Sequence, residues 1–321
     1  MGDQLGFADG WASPKLGRNA GLERLSEAVD WQELERLLAK LRHEGPGRPA
    51  FPALMMLKAV LLQQWYGLSD AEAEEAINDR VSFRRFLGLS LEAASPDHTT
   101  LCRFRGRLAE AGLAAVLFAA FERQLEARGV IVKEGTMVDA TLIASPFRPG
   151  SPGGTRQPVD PDAAVTTRKG TGSGINKRRL HYGYKLHIGT DQGSRLIRRL
   201  VLTPANVNDT VPADQLVCGD EAALYGDKAY AKRARRQALR AAGIKPRIMH
   251  KSWGGGPALT TWQQRHNRLI APIRAEVEGV FATLKRWMNL TRMRYRGLAK
   301  NSNHAFLVAL AYNMNRAMKL A

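Results

Sequence analysis

Three acidic residues stand out by the company they keep. Asp139 lies in Met137-Val138-Asp139-Ala140-Thr141, where apolar flanks make an ionised carboxylate expensive unless a cation compensates it. Asp227 closes the run Ala223-Leu224-Tyr225-Gly226-Asp227, and Gly226 lets a backbone or a ligand come close. A third carboxylate is expected from a later helix whose apolar stripe is Ile273, Val277, Val280 and Leu284. Glu276 and Glu278 flank that stripe on opposite sides, and Glu278 shares its sector with Arg274 and Lys285. That company favours Glu278, while spacing alone leaves Glu276 open. Such a trio suits two divalent ions about 3.5–4 Å apart, one generating a nucleophile and one stabilising a leaving oxygen. Hard oxygen ligands prefer Mg2+, with Mn2+ as its substitute. Each residue alone has a plainer reading. Strand-end aspartates serve turns and caps, and Arg274 with Glu278 has the spacing of an intrahelical ion pair.

Other chemistries find little support. His181 and His187 stand six residues apart in a strand-like segment with no cysteine pair beside them, so they are expected to pack in the sheet or touch DNA, not to bind zinc. No Gly-x-Ser-x-Gly elbow or phosphate-binding Gly-x-x-x-x-Gly-Lys loop occurs. Cys102 and Cys218 are the two cysteines, too few for a disulfide framework, and are expected to be ordinary buried thiols in a reducing compartment.

The elements that must position the acids fall into two parts. Residues 1–128 read as an all-helical domain, from Leu22 to about Arg128, with stripes Leu34, Leu37, Leu38, Leu41 and Leu54, Leu57, Leu61, Leu62. Ser69 is suited to cap Asp70–Asn78, and Ser95 or Asp97 to cap a helix presenting Arg103, Arg105 and Arg107. That helix is either a helix-turn-helix-like DNA reader or a solvated basic face. Residues 129–321 read as α/β. Short β segments are expected at Val130–Val132 and Thr136–Ile143. A basic Pro/Gly/Thr-rich loop over 145–180, ending in Lys177, Arg178 and Arg179, reads as a DNA-tracking arm. A hairpin follows at Tyr182–Thr190 and Leu196–Val207, then a short helix at Pro212–Val217, a strand at Ala222–Asp227, a basic helix at Lys232–Ala242 and a strand at Lys245–Met249. A long helix with Pro272 in its first turn ends near Met288, and a last helix covers Asn303–Leu320.

Charge narrows the partner. Forty-eight Lys and Arg against thirty Asp and Glu leave +18, clustered at Lys177–Arg179, Lys232–Arg236 and Lys285–Arg296, which favours a polyanion, nucleic acid above all. The opening residues lack a secretory pattern, and the apolar run Leu54–Leu62 is short and broken by Lys58, so a cytoplasmic protein that does not span a membrane is expected.

At this point the chain resembles the DDE transposases of bacterial insertion sequences, specifically insertion-sequence family five of the insertion-sequence-four superfamily. Arg274, three residues, Glu278, six residues and Lys285 reproduce the last three members of that family's Tyr-Arg-Glu-Lys motif, with Ala271 at the tyrosine position. Similarity extends to Val138-Asp139-Ala140-Thr141, His181-Tyr182-Gly183-Tyr184-Lys185, Ala205-Asn206-Val207-Asn208-Asp209, Gly226-Asp227-Lys228-Ala229-Tyr230 and Arg294-Tyr295-Arg296-Gly297. In the N-terminal region it includes Arg48-Pro49-Ala50-Phe51-Pro52 and Ser95-Pro96-Asp97-His98-Thr99-Thr100. The resemblance implies a ribonuclease-H-like core, a mixed sheet flanked by helices, with Asp139, Asp227 and Glu278 as catalytic metal ligands and Arg274 and Lys285 on phosphates near the scissile bond. It assigns the helical domain to end binding and dimer contacts. Lys185, Lys228, Lys232, Arg233, Arg235, Arg236, Arg286, Arg292, Arg294 and Arg296 would hold the DNA backbone, and Trp253 or Trp287 is a candidate for stacking on a displaced base. The implied activity is cleavage at the 3′ ends of the element's terminal inverted repeats and strand transfer into a target duplex, carried out by a homodimer. A DNA-binding regulator without cleavage and a nuclease without strand transfer are the competing readings.

Overall fold

The computed structural model describes residues 20–41, 50–151, 157–169, 178–252 and 257–320. The chain divides into two compact units, Met1–Arg128 with Phe306–Ala321, and Gly129–Ala305.

The first unit is helical through α1 (Ala20–Ala28), α2 (Trp31–Leu38), α3 (Ala53–Trp65), α4 (Asp70–Asp79), α5 (Val81–Leu87), α6 (His98–Glu110) and α7 (Leu113–Ala127). Helix starts follow cap chemistry. Asp30 accepts from the amides of Gln32 and Glu33, Ser69 and Glu72 form a reciprocal capping box, and Asp97, not Ser95, accepts from Thr100 N. Helix α3 buries residues on nearly every side, Met55, Met56, Ala59 and Val60 as well as Leu57, Leu61 and Leu62 of the expected stripe. Phe306–Ala321, expected with the catalytic part, groups instead with these helices. The reason is a run of buried residues, Leu307 to Tyr312, to which Trp65 adds an indole hydrogen bond to the Ala311 carbonyl (2.6 Å).

One basic residue in this unit departs from its expected role. Arg105 is buried, and its guanidinium donates to Gln63 Oε1 (2.9 Å) and Asp70 Oδ2 (2.6 Å), so it ties α6 to α3 and α4 and does not face DNA. Its neighbour Arg103 is exposed and Arg107 partly so, in keeping with the two sides of an amphipathic helix. The cysteines differ too: Cys102 is exposed and Cys218 half-buried.

The second unit is built on a six-stranded mixed sheet: β1 (Thr136–Ala144), β2 (Ala164–Lys169), β3 (Arg178–Asp191), β4 (Ile197–Pro204), β5 (Ala223–Gly226) and β6 (Lys245–Ile248). Antiparallel β3 lies on one side of β1 and parallel β5, followed by parallel β6, on the other. The far edge of β3 is shared, its first half pairing β2 and its second half β4. Between β5 and β6 runs α8 (Arg233–Ala241), and α9 (Thr261–Arg286), which packs on β1 and β5, precedes α10 (Leu298–Ala317).

Three sequence expectations change here. Val130–Val132 is not a strand; the amides of Val132 and Lys133 instead bind the Asp191 carboxylate (3.0 and 2.9 Å), closing the β3–β4 turn. The 145–180 loop is not uniformly irregular. It contains β2, and ahead of β2 the fully buried Asp160 is pinned by the Tyr184 hydroxyl (2.7 Å) and the Gly297 amide (3.1 Å). The Asp160 carboxylate lies four residues ahead of β2, but these partners, on β3 and just before α10, are far along the chain, which local composition does not report. Pro272 falls inside α9, because a capping box of Thr260 and Gln263 starts the helix well upstream. Among the described residues no helix is long and apolar enough to cross a membrane.

The two α6 arginines give a direct contrast. Arg105→Ala strands the partly buried Asp70 and the buried Gln63, and is expected to lower stability by roughly 1–3 kcal/mol. Arg103→Ala is expected to stay within about 0.5 kcal/mol. Urea unfolding of the two variants measures both.

Candidate active site

The parallel pairing of β1 with β5 does the first part of the work. Val138 lies opposite Gly226, so the next residue on each strand, Asp139 and Asp227, leaves the paired region at the same level of the sheet. A Cβ at Gly226 would sit 3.2 Å from the Val138 side chain and 3.3 Å from that of Tyr230, so any larger residue requires these neighbours to give by a few tenths of an ångström. Asp227 turns its carboxylate onto the Ala229 amide (2.6 Å), capping a short 3-10 turn at Lys228–Tyr230.

The second part comes from α9. Its buried face, Ile270, Val277, Val280, Phe281 and Leu284, lies on the sheet, which brings Arg274 to the edge of the contact. From there one guanidinium nitrogen donates to Asp139 Oδ2 (3.0 Å) and the other to Glu278 Oε1 (2.8 Å). Glu276, the alternative by spacing, is turned away and pairs with Arg195 (3.0 Å). Arg274 therefore joins Asp139 to Glu278, and Asp227 stands beside Asp139 at the neighbouring strand end.

The charge balance at this corner is negative. Burial pushes the Asp139 carboxyl up to about 6, opposed by the Ala140 amide and Arg274 and reinforced by the charges of Asp227 and Asp209. A half-buried acid whose ionised form is disfavoured by desolvation and by neighbouring carboxylates is short of positive charge, and its oxygens, once ionised, fit a hard divalent cation. Asp139, Asp227 and Glu278 would hold it. In this structure the three do not close to the spacing of a ready-made ligand set, for the Arg274 guanidinium stands between Asp139 and Glu278. The Glu278 side chain is 61% exposed, so its reorientation meets little packing.

A tighter acidic group exists among the described residues: Cys218, Asp220 and Glu221 bring ligand atoms within 4.8 Å of one another. Its charges are already met. Glu221 accepts from the Cys218 and Gly219 amides (3.1 and 2.6 Å), and Asp220 pairs with Arg198 (2.7 Å) and Lys133 (2.9 Å).

Two residues without an assigned role in the sequence reading also converge on this corner. Asp209, in the loop after β4, is bound by Lys185 Nζ (2.8 Å), and Tyr230 is buried beneath the Gly226 turn. Both lie in segments that carry the family resemblance, Asp209 at the end of Ala205–Asp209 and Tyr230 three residues past Asp227, and that was their one signal in the sequence.

The basic residues proposed for DNA separate into groups. Lys228, Lys232, Arg233, Arg286, Arg292 and Arg296 are exposed, and Lys285 and Arg294 partly so. Arg292 also donates to the Pro146 carbonyl (2.7 Å). Lys185 is held by Asp209 and the Val207 carbonyl (2.7 Å), and half-buried Arg236 donates to the Ile248 carbonyl (2.6 Å) at the end of β6, which places both in structural contacts. Arg235 is buried against Asp214 and the carbonyls of Tyr230 (2.9 Å) and Thr210 (2.7 Å), so it is a structural clamp and not a DNA contact. Arg178 and Arg179 lie on β3, while Lys177 and Trp253 fall outside the described residues. Trp287 is exposed at 68%. His187 is buried in the sheet with Nε2 on Thr203 Oγ1 (2.9 Å), and burial pushes it down to about 4, so it stays neutral at pH 7.

Comparison with known families gives two matches. Residues 132–314, more than half of the chain, match the family described as Transposase DDE domain. Residues 12–107 match a second, described as Transposase domain (DUF772).

Asp139 carries a stability signature. Its folded-state value is raised, so the protonated form is favoured in the native state, and the contribution is full below the unfolded value near 4 and lost as pH rises through about 6. In EDTA, the unfolding free energy from urea titrations is expected to fall between pH 4 and 7 by an amount on the order of 2 kcal/mol from this group. Asp139→Asn flattens that part of the profile, and Arg274→Gln, which removes the compensating cation, moves it to higher pH.

Proposed function

Because the chain belongs to the DDE transposases, we propose that it is the transposase of an insertion sequence of family five, which binds the terminal inverted repeats of its element, cleaves their 3′ ends and joins them to target DNA. The observation that carries this reading is the Arg274 guanidinium, bound at once to Asp139 and Glu278 beside Asp227. It draws together, from a strand and a helix, an acid–base arrangement suited to phosphoryl transfer.

Each residue has a task in that chemistry. Asp139, Asp227 and Glu278 would hold divalent ions, Mg2+ by preference and Mn2+ as substitute, which would supply activation of the attacking oxygen and neutralisation of charge on the leaving one. Arg274 and Lys285 hold the phosphate that flanks the scissile bond, Arg274 exchanging a carboxylate partner for a phosphate oxygen as substrate arrives. Cleavage and joining are both in-line attacks at phosphorus, so catalysis rests on position and charge and needs no covalent protein intermediate. The exposed cations Lys228, Lys232, Arg233, Arg286, Arg292 and Arg296 track the DNA backbone. The helical first unit, with Arg103 on its surface, binds the element ends and contributes to a homodimer, since two ends must be processed together. Such an enzyme works in the cytoplasm on the nucleoid and needs no membrane.

Incubation of labelled element ends with Mg2+ and a supercoiled target plasmid tests the reading. Nicked ends and joined products are expected from the native chain, and Asp139→Asn, Asp227→Asn and Glu278→Gln should each reduce both to background while retaining end binding. Cleavage with no joined product would make it a nuclease, and end binding without either reaction a regulator.

A further inference from the structure

Behind the three carboxylates lies a polar arrangement with one unmatched member. Tyr230 is 1% exposed and belongs to the buried cluster with Val138, Leu216, Leu224, Leu239 and Ile248, yet its hydroxyl has no hydrogen-bond partner among the described residues. A buried hydroxyl in that state carries the desolvation cost of an unmade bond, and native structures rarely tolerate one without a use. Its surroundings identify the use. The tyrosine packs against Gly226, the residue before Asp227 and the partner of Val138 beside Asp139, and burial first, then the charges of Asp139, Asp209 and Asp227, drive its phenol above the ordinary range. The arrangement is held from behind by Arg235, whose guanidinium binds the backbone carbonyls of Tyr230 and of Thr210, the residues that carry or adjoin the tyrosine and Asp209. Asp209 is in turn fixed by Lys185, which also binds the Val207 carbonyl.

We infer that Tyr230 and Asp209 are positioning residues of the carboxylate site: Asp209 adds the charge that draws a divalent cation in, and the Tyr230 hydroxyl finds its acceptor on a carboxylate oxygen once the acids gather round that cation. The inference rests on the proposed role of Asp139 and Asp227 as ligands. Ligating carboxylates are themselves commonly hydrogen-bonded from behind, and loss of such a partner weakens metal binding by about 10–100-fold.

The test is Mn2+ titration of the full-length protein followed by electron paramagnetic resonance, beside thermal unfolding in EDTA and in saturating Mn2+. Asp139→Asn serves as the control for the ligand reading, and loss of Mn2+ binding is expected from it. Tyr230→Phe keeps the ring and deletes an idle hydroxyl, so its midpoint in EDTA is expected to match or exceed that of the native chain, while Mn2+ affinity falls about tenfold or more. Asp209→Asn should weaken Mn2+ in the same way. If Asp139→Asn binds Mn2+ normally, the ligand reading fails. If Asp139→Asn loses Mn2+ while Tyr230→Phe and Asp209→Asn bind it with native affinity, the ligand reading stands and the positioning role is overturned. A Tyr230→Phe chain destabilised equally in EDTA and in Mn2+ marks the hydroxyl as packing alone and also overturns it.

Discussion

An ionised carboxylate inside a sheet must be answered by positive charge, and the second unit is organised around that requirement at Asp139. The strand that carries it is central, with β3 on one side and β5 on the other, so burial is unavoidable. Arg274 provides part of the answer and can do so because α9 lies across β1 and β5. The same guanidinium holds Glu278, which makes one side chain the mechanical link between strand and helix. Burial and the neighbouring acids outweigh it, leaving Asp139 raised to about 6 and the corner receptive to a further cation.

Within each unit taken by itself, basic side chains are used in two distinct ways. Arg105, Arg198 and Arg235 are buried and bonded to carboxylates and to polar or backbone oxygens, tying elements together. Lys228, Lys232, Arg233 and Arg296 stand in solvent. A net charge of +18 is thus not all available to a polyanion. What remains at the surface of the second unit includes residues adjoining Asp227, where a phosphate backbone would have to pass for the proposed reaction.

The loop between β4 and β5 contributes more than a connection. Lys185 binds it through Asp209 and Val207, and Arg235 binds it through Thr210 and Asp214. These contacts reach it from β3, the antiparallel neighbour of the strand that carries Asp139, and from α8. A loop so tied can hold charge at a fixed place, as exposed and untethered loops cannot.

Local patterns were legible in the amino-acid sequence wherever a physical preference acts over a few residues. Cap residues marked the starts of α4 and α6, alternation marked the β3–β4 hairpin, and apolar flanks singled out Asp139 and Asp227. The stripe on α9 narrowed the third acid to Glu278 or Glu276, and the fold separated them by giving one to Arg274 and the other to Arg195. Other features depended on partners far along the chain. Strand β2 and the buried Asp160 are held by β3 and Gly297, Arg105 is inward because Asp70 and Gln63 await it, and Tyr230 meets Asp209 only after the sheet has formed. Composition and periodicity report what a residue prefers; which charges become neighbours is decided by packing, because electrostatic energy depends on distances that only the folded chain establishes.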